Sequence, residues 1–148
     1  MSEAEVERLM DEERVVTVAT MMPGGRPHLM PLWYVHEGTT VVAWTFAKSQ
    51  KVKNLERDPR ATLQIEAGDR YEHLRGAMLE CDVELIRDLE AINAIGLGLA
   101  QRYSGSGSAA EREAAVANVA KQAPKRLGLR FHPTRIVTWD HRKLGGRY

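Results

Sequence analysis

Between Val15 and Phe46 the chain carries three β-branched and apolar segments separated only by turn chemistry, and that spacing excludes most folds. Val15 to Met21 is followed by Pro23-Gly24-Gly25, Pro27 to Val35 reads as a returning strand, and Glu37-Gly38 punctuates before Thr39 to Phe46. Connections this short join antiparallel neighbours, because a parallel crossover needs a dozen or more residues. The strand series continues with Ala61 to Glu66, Tyr71 to Ile86 after the Gly68-Asp69 turn, and Leu127 to Phe131 and Arg135 to Trp139 around His132-Pro133. Gly76 marks a bulge or bend.

Helices are inserted into this series. Ser2-Glu3-Ala4-Glu5 has the capping-box spacing, with Val6, Leu9 and Met10 following on one face. Asp88 caps a second helix through Ala100, with Leu89, Ile92, Ile95 and Leu99 as its apolar stripe. Ser104 to Ser108 alternates serine and glycine and predicts a flexible loop, and Ala109 to Gln122 predicts a helix ended by Pro124. Strands in succession with helices interposed predict a mainly β fold, an antiparallel sheet or barrel, and disfavour a parallel nucleotide-binding sheet. Gly96-Leu97-Gly98 lacks the third glycine of a dinucleotide fingerprint and lies inside a helical pattern, which reads as helix packing.

A chain of 148 residues with 43% hydrophobic content fits one domain, 1–148, with its own core. Twenty-one basic against 20 acidic side chains leave a formal charge of +1, which argues against nucleic acid or a membrane surface as partner and makes any anion site local. No apolar run approaches the roughly 20 residues of a membrane span, so the expected location is cytoplasmic. Cys81 has no partner cysteine and reads as a packed side chain, and the five histidines lack zinc spacing, so no metal site is expected.

The richest local pattern runs from Thr45 to Arg60, where an apolar strand becomes a helix bearing Lys48, Ser49, Lys51 and Lys53. A helix N-terminus leaves backbone N–H groups unpaired and carries partial positive charge, so an anion there is favoured and lysines neutralise it further. An ordinary solvated basic face has the same composition. Ser49 suits the N-cap, its hydroxyl accepting from Lys51 or Val52 N–H or turning toward a bound phosphate, and Asp58-Pro59 stops the helix. The strand Leu29-Met30-Pro31-Leu32-Trp33-Tyr34-Val35 is apolar on both faces, so a partner subunit, a flat aromatic ligand or one of the late helices has to cover its second face.

The hairpin Val15 to Val35, the strand Thr39 to Phe46, the segment Ser49-Gln50-Lys51-Val52-Lys53-Asn54-Leu55-Glu56-Arg57-Asp58-Pro59-Arg60-Ala61-Thr62-Leu63 and the ending Pro133-Thr134-Arg135-Ile136-Val137-Thr138-Trp139-Asp140 resemble the pyridoxamine 5′-phosphate oxidase-like split-barrel superfamily over nearly the whole chain. Within it the chain looks most like the actinobacterial flavin and deazaflavin-dependent oxidoreductases, many of which use coenzyme F420. The resemblance implies a homodimer of six-stranded antiparallel split β-barrels with inserted helices, the cofactor lying at the subunit interface. It implies that Lys48, Ser49, Lys51 and Asn54 hold the phosphate, with Lys53 a weaker candidate. Met30, Pro31, Leu32 and Trp33 would lie along the ring, Thr45 beneath the phosphate turn, and Trp139 across the pocket from the other subunit.

The implied activity is hydride transfer from reduced F420 to a small conjugated acceptor; the alternatives are an FMN-dependent oxidoreductase, or a non-catalytic haem, tetrapyrrole or cofactor binder. The cofactor carries the hard step, so no catalytic side chain is assigned, although His28, Tyr34, His73 or water would serve as proton donor. Arg57 and Arg60 are candidates for a basic path to an anionic cofactor tail.

Overall fold

The computed structural model describes residues 1–104 and 107–145. Helix α1 (Glu3–Glu12) is followed by β1 (Val16–Met21), β2 (Pro27–Leu32), β3 (Val35–Glu37), β4 (Thr40–Phe46), α2 (Gln50–Arg57), β5 (Arg60–Ala67) and β6 (Arg75–Ile86). Helices α3 (Leu89–Ser104) and α4 (Ala109–Gln122) then precede the long final strand β7 (Arg126–Asp140). The strands form one seven-stranded antiparallel sheet in the order β2-β1-β5-β6-β7-β4-β3.

The outermost strands, β2 and β3, are joined by Trp33 and Tyr34 alone. A flat sheet of this width would hold its edges roughly 29 Å apart, and the link reaches only about 10 Å. The sheet therefore curls into a half-barrel.

Two expectations are corrected by this arrangement. The returning strand expected over Pro27 to Val35 breaks into β2 and β3, which brings the strand number to seven where the resemblance implied six. The break has a physical cause: Tyr34 is fully buried, its hydroxyl contacting the Met10 and Glu13 carbonyls at 2.9 Å each, so it leaves the ladder to close the C-terminal end of α1. Conversely, the two strands expected around His132-Pro133 are one. The register slips by a residue between Glu80 and Cys81, and the bulge accommodates a proline that has no N–H to give the ladder. Thr134, beside it, donates its hydroxyl to the Glu80 carbonyl at 3.0 Å.

The inside of the curl is packed by Val16, Val18, Leu63, Ile65, Leu79, Leu129 and Phe131. Val6, Leu9 and Met10 of α1 join this core near the end where β5 finishes, and Val52 and Leu55 of α2 join it near the end where β5 begins. Ser2 forms the capping box read from the sequence, its hydroxyl accepting from Glu5 N–H while the Glu5 carboxylate accepts from Ser2 N–H. Ser2→Ala is expected to lower stability by about 1 kcal/mol, or about 2–4 °C in Tm by calorimetry.

Helix α3 runs past the predicted Ala100 to Ser104, and α4 matches its expected bounds. Ser108 caps α4 through a second capping box with Glu111, a signal the sequence carries but the loop reading absorbed. Of the rest of that expected loop, residues 105–106 lie outside the described residues. The α3–α4 pair covers the outer face of β4 and β7, where Ile95 and Leu99 meet Val42 and Trp44. Gly96 permits this approach, since a Cβ there would lie 2.6 Å from the Trp44 ring. The helices do not cover β2, where Leu29 and Met30 remain exposed.

Candidate functional site

The Phe46-to-Ser49 turn places four of the predicted residues around the start of α2. Its backbone is fixed by Ser49 N–H donating to the Phe46 carbonyl and Ala47 N–H donating to that of Lys125, both at 3.0 Å. Ser49 has N-cap backbone geometry but makes no side-chain cap bond, and its buried hydroxyl oxygen finds no partner among the described residues. The expected acceptance from Lys51 or Val52 N–H is not made, so the first turn of α2 keeps unpaired donors.

Lys51 is the unusual member of this group. Its residue is only 7% exposed, and its ammonium donates to Thr45 Oγ1 at 3.1 Å. None of the ion pairs among the described residues involves it. Burial pushes its pKa below the usual lysine value. An exposed basic face would show none of these properties; Lys48 and Lys53 do lie exposed on either side.

Asn54 is fully buried one helical turn beyond Lys51. Its amide donates to Thr20 Oγ1 at 3.0 Å, and its carbonyl oxygen accepts from Gln50 Nε2 at 2.9 Å, which ties α2 to β1. Helix α2 is thus held from beneath, while no side chain caps its N-terminal end. Arg57 donates to the Met21 carbonyl, and Arg60 grips Asp58 through two nitrogens at 2.7 and 2.8 Å. That pairing holds the Asp58 carboxyl down at about 2, so much of the Arg60 charge is met locally.

The β2 residues lie on the split edge. Met30 and Pro31 are exposed, Leu32 is half-buried, and Trp33 stacks on Tyr103 of α3 at 4.5 Å with 7° between planes. A cleft of about 580 Å³ opens beside Pro31, Leu32 and Trp33 and continues to Trp44 and Tyr103. Trp139 is half-buried over Gly76, at the opposite end of β7 from Leu127, the residue paired with Thr45. Within one chain it is not brought to the α2 turn.

Of the three side chains considered as proton donors, Tyr34 is committed to the core, with burial pushing its phenol up to about 12. His73 is exposed 3.7 Å from Asp69, and His28 has a buried Nδ1 without a partner among the described residues. Cys81 is a packed core thiol, as expected, raised to about 12 by burial.

Arg126 escaped the sequence reading. It opens β7 directly opposite Phe46, its guanidinium 3.8 Å from the Phe46 ring centre and 5.1 Å from that of Trp44. Its Nε is buried without an acceptor among the described residues, and burial lowers its pKa. Only the β4–β7 register brings it there, and no local motif encodes that register.

A curled antiparallel half-barrel with a basic turn between a strand and the start of α2 defines a class of fold, and the comparisons agree with it. The sequence pattern of the pyridoxamine 5′-phosphate oxidase family matches residues 2–140, and the chain belongs to that family. The conserved hypothetical protein Rv2991 from Mycobacterium tuberculosis is 38% identical, covering all of this chain and 90% of that one, with a TM-score of 0.89. An F420 reductase is 22% identical over 88% of this chain and 94% of its own, with a TM-score of 0.66. The haem storage protein HutZ from Vibrio cholerae is 14% identical over 93% of each chain, with a TM-score of 0.70. The last two likenesses speak for the fold alone. No curated protein matches the chain.

Proposed function

We propose that the protein is a cytoplasmic, homodimeric oxidoreductase that uses reduced coenzyme F420 to deliver hydride to a small conjugated acceptor, the cofactor lying at the subunit interface. The observation that carries this reading is Lys51: a buried ammonium with a hydroxyl as its polar partner, beside the unpartnered Ser49 hydroxyl and the start of α2, which no side chain caps. Charge held in that way calls for an anion from outside the chain. A phosphate fits this donor set, since the ammonium has no anionic partner, the hydroxyl has no partner among the described residues and the first turn of α2 has no side-chain cap.

When bound, the cofactor supplies the hydride. The chain's part is to place it. Lys51 and Ser49 would hold the phosphate, with exposed Lys48 and Lys53 adding positive field and Asn54 fixing the helix that carries them. Thr45 holds the Lys51 ammonium toward the turn. Exposed Met30, Pro31 and Trp33 with half-buried Leu32 supply an apolar edge against which a ring would shed water, and Trp139 would reach it from the second subunit. No helix among the described residues is long and apolar enough to cross a membrane.

Calorimetric titration with F420 and, separately, with FMN tests the reading. Tighter saturable binding of F420 is the expected result. A preference for FMN would move the protein to flavin chemistry on the same turn, and binding of neither would overturn the phosphate site.

A further inference from the structure

The α3–α4 cleft holds a second cation on the other side of the sheet from Lys51. Side chains alternate along β4 and β7. Val41, Ala43, Leu127, Leu129 and Phe131 enter the inner core, and Thr45 shares their side, whereas Val42 and Trp44 face α3. Phe46 continues the outer series, and Arg126 is its direct partner.

The cleft encloses about 580 Å³, a volume usual for small-molecule sites. Its walls are aromatic, from Trp33, Trp44 and Tyr103, with the Asn118 and Gln122 amides on α4 and Arg126 the one charged side chain among its described lining residues. The guanidinium is under-satisfied. Its Nε has no acceptor among the described residues, Nη2 reaches Gln122 Oε1 only at 3.4 Å, and none of the ion pairs among the described residues includes it. Two aromatic faces meet this cation but leave its planar fork without an anion.

We propose that this cleft binds a planar aromatic monocarboxylate, its ring beside Trp33 and Trp44 and its carboxylate on the Arg126 guanidinium. A single cation neutralises a single negative charge, and a planar fork matches a carboxylate through two parallel hydrogen bonds. Flat aromatic walls select a flat ring over an aliphatic chain. The Arg126 end of the site rests on the geometry of β4, β7 and the two helices, while its rim at Pro31, Leu32 and Trp33 is shared with the proposed cofactor edge, so the titration is made on the cofactor-free protein.

The test is calorimetric titration of the full chain with 2-naphthoate and with its uncharged counterpart, 2-naphthamide. Naphthoate is expected to bind saturably, the amide about 10-fold more weakly, and Arg126→Gln to remove that preference. Gln122→Glu supplies an internal carboxylate to the same guanidinium and keeps the helix-forming character of the position, so it is expected to weaken naphthoate binding about 10-fold. Lys51→Ala is expected to leave naphthoate binding unchanged, because it lies on the opposite face. No binding to the parent protein, equal affinity for acid and amide, insensitivity to Gln122→Glu, or loss of binding in Lys51→Ala would each overturn the proposal.

Discussion

Replacing Lys51 by alanine is expected to weaken F420 binding by about 1.5 to 3 kcal/mol, on the order of 10- to 150-fold in Kd, because a charge-assisted contact in a dry site is lost. The same buried ammonium destabilises the cofactor-free fold, since its desolvation is offset chiefly by the Thr45 hydroxyl. Lys51→Met keeps the apolar stem and removes the charge, so it is expected to raise free-protein stability while still abolishing the phosphate contact.

The pH dependence of that gain has a definite sign. With the folded pKa of Lys51 below its usual 10.5, the unfolded chain binds more protons across the interval between the two values. Stability of the parent protein therefore rises with pH there, and the advantage of Lys51→Met is largest below the folded value and shrinks toward 10.5. Urea unfolding of both proteins across that range measures it. Unaltered F420 affinity in both variants would remove Lys51 from the cofactor site.

Gly76→Ala is expected to cost about 3 kcal/mol, an effect of overpacking between two strands. A Cβ at Gly76 would lie 2.1 Å from Trp139 Cζ2 and 2.8 Å from the Ile65 carbonyl oxygen. Gly76 and Trp139 are direct partners across β6 and β7, so the indole occupies the space a side chain would take. In a Trp139→Ala background the glycine replacement is expected to cost less than half as much, measured as a double-mutant cycle by urea unfolding. An equal cost in both backgrounds would assign the conflict to the Ile65 carbonyl instead.

Local chemistry made the hairpin, the capping box at Ser2, the α2 boundaries and the β-rich order legible, because caps, turns and alternation act over a few residues. The bulge or bend expected at Gly76 lies instead at Glu80/Cys81; Gly76 pairs in regular register, and its reason is the Trp139 indole on a strand far along the chain. The break at Trp33 was not readable, because a strand pattern continues through it and only the tertiary pull on Tyr34 ends the ladder. Fusion across Pro133 depended on a register shift with β6, which is likewise a property of the pair. At the α2 turn, the lysines were visible as residue types. That Lys51 is buried and Lys48 exposed followed only from where α2 docks, and Arg126 was invisible until β7 was paired with β4.

The three tryptophans of the chain fall at two separate places, and this gives the protein distinct optical reporters. Trp33 and Trp44 share the cleft beside α3, one 60% exposed and the other half-buried near a guanidinium, while Trp139 sits over Gly76 at the far end of β7. With Trp139 changed to phenylalanine, the remaining indole emission comes from the cleft alone. With Trp33 and Trp44 changed, it reports on the β6–β7 seam. Local opening of the α3–α4 cover and separation of the central strands then become separately visible events in one small molecule.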